Sequence, residues 1–173
     1  MPEKILKDFY QKDALDIAPE ILGHHLVRVT ERETFRYPIT EVEIYRGEDD
    51  TGCHVSRGKT KRTEVMYREG GLVYVYLVYG MHWMLNVVTG KKEHPQALLI
   101  RGISGFDGPG KLTKHLQIDG SFYGEDLSVS DSLWIEKNPD KNGEIEKYPR
   151  IGIDYAQKED RDRLWRLKWV GSG

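Results

Sequence analysis

Residues 39–90 read ITEVEIYRGEDDTGCHVSRGKTKRTEVMYREGGLVYVYLVYGMHWMLNVVTG. Two segments of this stretch decide the fold. Leu72 to Tyr79 (LVYVYLVY) is built from β-branched, leucine and aromatic residues, which suit a pleated, half-buried surface. Gly80 follows as a turn residue and Trp83 to Val88 returns. That pattern predicts a β-hairpin with Tyr79, Gly80 and Met81 at its tip. Ile39 to Tyr45 is a second strand. A period of two sets Ile39, Glu41, Glu43 and Tyr45 on one face and Thr40, Val42 and Ile44 on the other.

Further strands flank this centre. His25 to Thr30 alternates, and Gln96 to Arg101 (QALLIR) is apolar and ends in an arginine. Leu133 to Lys137 and Arg150 to Asp154 read as short strands separated by a polar loop, and the tail RDRLWRLKWVGSG as a last strand. Glu31 to Pro38 reads as a polar connection and Gly47 to Gly58 as a loop, while Lys59 to Arg68 is a helix or a basic loop. Before the strands, Asp8 to His25 carries a helical stripe of Leu15, Ala18, Ile21, Leu22 and His25, with Asp13 as N-cap. Pro19 is expected to divide it into two helices and to open the second. Gly110 to Leu116 reads as a helix introduced by Pro109. Strands in the middle and helices at the edges predict one α+β domain over residues 1–173.

Bulk composition narrows the function. The chain has 173 residues, 38% hydrophobic and 31% charged, which fits one soluble globular domain with a real core. No apolar run approaches the roughly 18 residues of a membrane span, and the charged start MPEKILKDFYQKD has no signal-peptide core. One cysteine, Cys53, allows no internal disulfide and makes an intracellular location the expectation. There is no Cys-x-x-Cys, His-Glu-x-x-His or Walker loop, so no cofactor or dedicated metal site is expected. Net charge is −2, yet five basic residues (Arg57, Lys59, Lys61, Arg62, Arg68) face one acid (Glu64) between His54 and Arg68. Local charge sets the field at a cleft, so one basic patch is expected on a polarised surface.

Several residues could carry chemistry. Glu43, between Val42 and Ile44, is either a solvated acid on a wet strand face or, in a cleft, a desolvated general base. His54 is either a loop histidine or a metal ligand with Asp49, Asp50 or Cys53, but that spacing matches no compact zinc pattern. Tyr74, Tyr76 and Tyr79 either pack a sheet or offer a stacking platform for bases beside the basic patch. A tyrosine at a hairpin tip followed by Gly80 and Met81 also has the shape of a wedge for a base stack. Gly108 to Thr113 (GPGKLT) is either a proline-started helix with a tight turn or the turn of a helix-hairpin-helix DNA-binding unit, with Gly108, Gly110 and Lys111 at a phosphate.

Taken in order, these motifs resemble the 3-methyladenine (alkyladenine) DNA glycosylases found in mammals and many bacteria. The blocks are Leu22-Gly23 with Leu26-Val27, TEVEIY at 40–45, His54, the GKTKR loop at 58–62 with Met66, YVYLVYGM at 74–81, Asn86, LIR at 99–101, GPGKL at 108–112 and RIG at 150–152. The resemblance runs from about residue 10 onward and implies a curved, largely antiparallel sheet flanked by helices, with the tyrosine hairpin on the DNA-binding face. It implies that Glu43 activates water and Arg101 helps place it. Tyr45, His54 and Tyr76 enclose a flipped base, Asn86 helps exclude normal purines, and Tyr79 fills the gap in the duplex. The implied partner is double-stranded DNA with damaged purines. One pocket and one basic face lead to the expectation of a monomer, and with no lysine nucleophile required, no strand cleavage is expected. Three features depart from the family. The chain ends at Gly173, where members usually continue through a segment that places a backbone group near the water. Cys53 stands where alanine is expected, and Leu167-Lys168 where aromatics are usual. The rival expectations are a non-catalytic nucleic-acid-binding module, a mostly helical helix-hairpin-helix glycosylase, and a metal-dependent hydrolase.

Overall fold

The computed structural model describes residues 2–172. Nine strands join one curled antiparallel sheet: β1 (His25–Val29), β2 (Thr34–Arg46), β3 (Val73–Val78), β4 (His82–Thr89), β5 (Gln96–Ile103), β6 (Phe106–Asp107), β7 (Leu133–Glu136), β8 (Asn142–Tyr148) and β9 (Arg166–Ser172). Among the described residues four short α-helices accompany it: α1 (Lys7–Tyr10), α2 (Ala14–Ile21), α3 (Pro109–His115) and α4 (Lys158–Asp162). The main strand order is β3-β4-β5-β2-β1-β7, with β6 beside β5 and β9 between β2 and β8. The α+β expectation holds, in a single compact domain with more strand than helix.

The long strand β2 is the hub. Its first half pairs with β1, Thr34 opposite Val29, and its second half lies between β5 and β9. Alternation along the central strands separates two layers. Val42, Ile44, Val73, Val75, Leu85, Val87, Leu98 and Ile100 face the main core, where they meet Ala14, Ile17, Ala18 and Ile21 of α2. The intervening residues face the other way. Register then sets one residue per strand in a transverse row: Tyr74 opposite Asn86, Asn86 opposite Leu99, and Leu99 opposite Glu43. Directly opposed residues share a face, so this row and its neighbours build the other side of the sheet.

The structure revises several sequence expectations. A strict period of two fails at residues 39–42, where the β2–β5 register shifts on either side of Glu41. That bulge brings Ile39 into the same core as Val42 and Ile44 rather than onto the face of Glu43. Pro19 lies inside α2, and the break falls earlier, before Asp13, whose carboxylate caps Leu15 N at 2.9 Å. Leu15 is consequently exposed. The polar connection 31–38 is mostly strand, because Thr30 closes a tight turn onto Glu33. The polar loop 138–149 contains β8, paired with β9 along its whole length. Residues 150–154 are not a strand; Gly152 bends them with φ 78°. α3 follows strand β6, so the GPGK turn joins strand to helix and is no helix-hairpin-helix.

One glycine shows how closely the helices sit on the sheet. Gly90 N donates to Tyr10 O at 2.9 Å, and a Cβ on Gly70 would lie 2.0 Å from the same oxygen. Overpacking of this kind costs about 1–3 kcal/mol. Gly70→Ala is therefore expected to lower the thermal unfolding midpoint by about 2–4 °C per kcal/mol for a chain of this size. An unchanged Tm would show that α1 can move aside freely.

Candidate active site

A cavity of about 320 Å³ opens on the face opposite the core. Its wall comes from β2, β3, β4 and β5 together with Cys53 and His54, Met66, Pro109 and the 151–155 segment. Ligand pockets usually run to about 300–1,000 Å³, so this is a small one.

Aromatic rings form one side. Tyr74 and Tyr76, two apart on β3, lie 5.2 Å apart by ring centroid. The His54 ring stands edge-on to Tyr76 at 4.6 Å. His54 Nδ1 contacts Tyr74 OH at 2.8 Å and Arg62 Nη2 at 3.3 Å. A guanidinium only donates, so Nδ1 carries the lone pair and Nε2 carries the proton. Burial, and then the Arg62 charge, pull the His54 pKa down to about 4. The imidazole is neutral at pH 7. Tyr74 is pushed up to about 12 by burial, and Tyr76 also upward. The Cys53 thiol, in the same wall, is raised to about 12 and stays protonated.

Glu43 is completely buried and stands one layer behind the wall. Three groups that do line the cavity hold it. Tyr45 OH donates to Oε1 at 2.8 Å, Ile151 N donates to Oε2 at 2.7 Å, and Arg101 Nη1 is 3.5 Å from Oε1. Arg101 is shared with Glu41, 3.7 Å from its Nε, and Glu41 also pairs with Arg166 at 3.1 Å. Burial raises the Glu43 pKa, and Arg101, the Ile151 amide and Tyr45 oppose that rise without cancelling it. The carboxylate keeps free lone pairs, since only two donors reach it at normal hydrogen-bond length.

The structure brings six residues singled out in the sequence into one place: Tyr45, His54, Tyr76, Asn86 and Arg101 line the cavity, and Glu43 lies behind it in contact with Tyr45 and Arg101. Asn86 is buried at the cavity wall and donates to Met84 O at 3.3 Å. Tyr79, 89% exposed at the hairpin tip, edges the cavity, with Met81 exposed beside it. Consecutive positive φ values at Tyr79 (55°) and Gly80 (67°) make the tight turn that presents it. Arg57, Lys59, Lys61 and Arg62 are exposed; Lys59 pairs with Glu93 at 4.0 Å and Arg62 lies over the Tyr76 ring. Among the described residues Arg57, Lys61 and Arg62 form no ion pair, whereas Arg68 is tied to Glu64 at 2.7 Å. Lys111 is exposed on α3. Gly108 and Gly110 have local reasons to be glycine: φ of 130° at Gly108, and His82 Nδ1 2.8 Å from where a Gly110 Cβ would be.

Sequence reading missed other members. Asp50, weighed as a metal ligand, has both oxygens engaged by Arg150 at 2.7 and 2.8 Å. The backbone group that reaches Glu43 is the Ile151 amide. Tyr155 lines the cavity and donates to Gly52 O at 2.9 Å. No local pattern marks these contacts, because each joins segments about 100 residues apart in sequence, as with Asp50 and Arg150 (|i−j| 100). Leu167, at a position expected to be aromatic, fills the main core. No helix among the described residues is long and apolar enough to cross a membrane.

The family model for methylpurine-DNA glycosylase matches residues 8–108 and 104–172. The chain is 42% identical over 171 residues to a protein of Borreliella burgdorferi strain B31, covering 92% of each. It is 39% identical over 187 residues to one of Natranaerobius thermophilus (95% and 94% covered) and 40% over 171 residues to one of Legionella pneumophila strain Paris (95% and 93%). All three carry the inferred name 3-methyladenine DNA glycosylase. The chain is thus a DNA glycosylase, a hydrolase acting on N-glycosyl bonds. It belongs to the methylpurine-DNA glycosylase family, which acts on alkylated bases in DNA.

The histidine gives a direct check of the site. With a folded pKa near 4 and an ordinary value of 6.5, the unfolded chain binds the extra proton between those limits. The stability that neutral His54 contributes is therefore present above about pH 6.5 and lost as pH falls toward about 4. Imidazole-detected NMR is expected to show an Nε2–H tautomer titrating near 4, and Arg62→Ala should raise that midpoint. A midpoint near 6.5 would mean that the ring is solvated.

Proposed function

We propose that this chain removes alkylated purines of the 3-methyladenine class from double-stranded DNA, by flipping the damaged base into the aromatic cavity and hydrolysing its glycosidic bond with water activated by Glu43. The observation that carries this reading is a fully buried carboxylate directly behind an aromatic cavity whose rim bears an exposed hairpin-tip tyrosine.

The roles follow from charge. Alkylation at purine N3 or N7 makes the base cationic, which favours the electron-rich faces of Tyr45 and Tyr76. His54, neutral, adds an apolar ring edge without repelling that cation. Flipping costs a few kcal/mol, least at damaged or mispaired sites. As the bond breaks the sugar takes on oxocarbenium character. Glu43 stabilises that charge and accepts the proton of the attacking water, and its raised pKa makes it a better base. Arg101 keeps the carboxylate ionised and helps hold the water. Asn86 restricts which purines fit the wall. A cationic base departs neutral, so no acid and no lysine nucleophile is required, and the enzyme leaves the strand intact.

The DNA is held at the rim. Tyr79 occupies the space left by the flipped nucleotide, with Met81 against the neighbouring step. Arg57, Lys59, Lys61 and Arg62 meet phosphates on one flank, and Gly108, Gly110 and Lys111 on the other. One cavity and one basic face need no second subunit, so the enzyme acts as a monomer, inside the cell and without a metal.

Glu43→Gln is expected to slow release of 3-methyladenine from methylated duplex DNA by about 10²–10⁴-fold while duplex binding persists. EDTA is expected to leave wild-type release unchanged. Release by Glu43→Gln at the wild-type rate would remove Glu43 from the chemistry. Binding without release by the wild type would make the chain a non-catalytic module. Tyr79→Ala is expected to weaken binding to a damaged duplex by about 1–3 kcal/mol, the range for one stacking contact, as read by fluorescence anisotropy.

A further inference from the structure

Beneath the cavity lies a buried ion pair that none of the roles above uses. Arg150 and Asp50 have side-chain exposures of 0% and 1%. The guanidinium donates to both Asp50 oxygens, at 2.7 and 2.8 Å, and to Ile44 O at 2.9 Å and Asp160 O at 3.1 Å. Its Cζ lies over two rings, 4.9 Å from the Tyr45 centroid and 5.0 Å from that of Trp165. Asp50 also accepts from Arg46 N and Gly52 N, both at 3.0 Å, and so holds the turn that leads to His54.

What the pair touches is more informative than its strength. Tyr45, on which Arg150 lies, donates its hydroxyl to Glu43. Ile151, the residue after Arg150, donates its amide to the other oxygen of Glu43. Both short hydrogen bonds to this carboxylate therefore depend on where Arg150 sits. Two well-packed apolar side chains would join these segments as stably, because burying two charges costs about what their attraction returns. An apolar pair would not fix direction: a planar fork bound bidentate to a carboxylate sets both position and angle.

We propose that Asp50 and Arg150 are positioning residues for the reaction, their buried ion pair holding the Tyr45 hydroxyl and the Ile151 amide where both donate to Glu43. This rests on the function proposed above, with Glu43 as base. The groups that set the behaviour of Glu43 are then Tyr45 and Glu41 on its own strand, Arg101 on β5, Arg166 on β9, Tyr76 on β3, and Arg150 with Tyr155 on the segment that crosses it. Of these, Arg150 both lies over the Tyr45 ring and directly precedes Ile151 in the chain. Loosening it withdraws hydrogen bonds from the ionised carboxylate and moves a cation away, and both changes favour the protonated form. A base works deprotonated, so the acidic limb of the rate profile must move to higher pH.

The test is single-turnover release of 3-methyladenine from methylated duplex DNA between about pH 5 and about pH 9, for wild type, Asp50→Asn and Arg150→Lys, with affinity for the same duplex measured alongside. Both variants are expected to move the acidic limb upward by about half a pH unit or more, to approach the wild-type rate at high pH, and to bind DNA within about twofold of wild type. A rate lowered by the same factor at every pH, or a limb that stays in place, overturns the proposal and leaves the pair a structural staple. Should either variant fail to fold, Ile151→Pro leaves the ion pair intact and deletes one donated N–H. The same displaced limb is expected there, and an unmoved limb overturns the proposal equally. Absence of release by the wild type would instead strike the proposed function, so the two failures are distinguishable.

Discussion

A buried carboxylate at the back of the cavity is the constraint around which this structure is arranged. Desolvating an ion costs several kcal/mol even after relaxation, and Glu43 is buried on the central strand. It keeps a hydrogen-bonded place because a hydroxyl, an amide and a guanidinium are brought to it from three directions. Those groups come from residues 45, 101 and 151, so the chain must fold almost entirely before the site exists. Arg101, shared with Glu41, neutralises Glu43 only in part, and burial still sets the direction of its pKa.

The sheet makes this arrangement possible by having two different faces. One row of a strand supplies valine, leucine and isoleucine to a core shared with α2, and the next supplies tyrosine, asparagine and arginine to the cavity. A one-residue slip in any strand would exchange the two sets. The bulge at residues 39–42 keeps β2 consistent with this division, since it lets Ile39 and Val42 share the core while Glu43 and Tyr45 face the site. Rigid strands then hold the rings, and the hairpin they form ends in the exposed tip that carries Tyr79.

Charge is distributed to match. Arg57, Lys61 and Arg62 lie on the exposed segment after His54 without acidic partners among the described residues, although the whole chain is slightly acidic. Arg62 lies over the Tyr76 ring at the cavity, and β8 carries the acids Glu144 and Glu146. In the proposed function this basic charge steers the DNA polyanion toward the rim. The GPGKL turn shows the limit of motif reading: its glycines answer to backbone angle and to the approach of His82, whatever else they meet.

Much of this was legible in the chain itself. β-branched and aromatic runs marked β3, β4 and β5, a glycine after Tyr79 marked the hairpin tip, and Asp13 and Pro109 marked helix starts, because those signals act within a few residues. Glu43, Tyr45, His54, Tyr76, Asn86 and Arg101 could be singled out by residue type and motif order. Whether Glu43 met water or a closed cavity could not, since alternation is the same for either face. β8 was invisible because a polar edge strand exists only when a partner such as β9 is beside it. The bond from Ile151 to Glu43 and the pair Asp50–Arg150 join segments about 100 residues apart. Local preference selects strands, turns and caps, and the sequence determined those. Register and long-range closure decide which buried charges meet, and only the tertiary structure decided that.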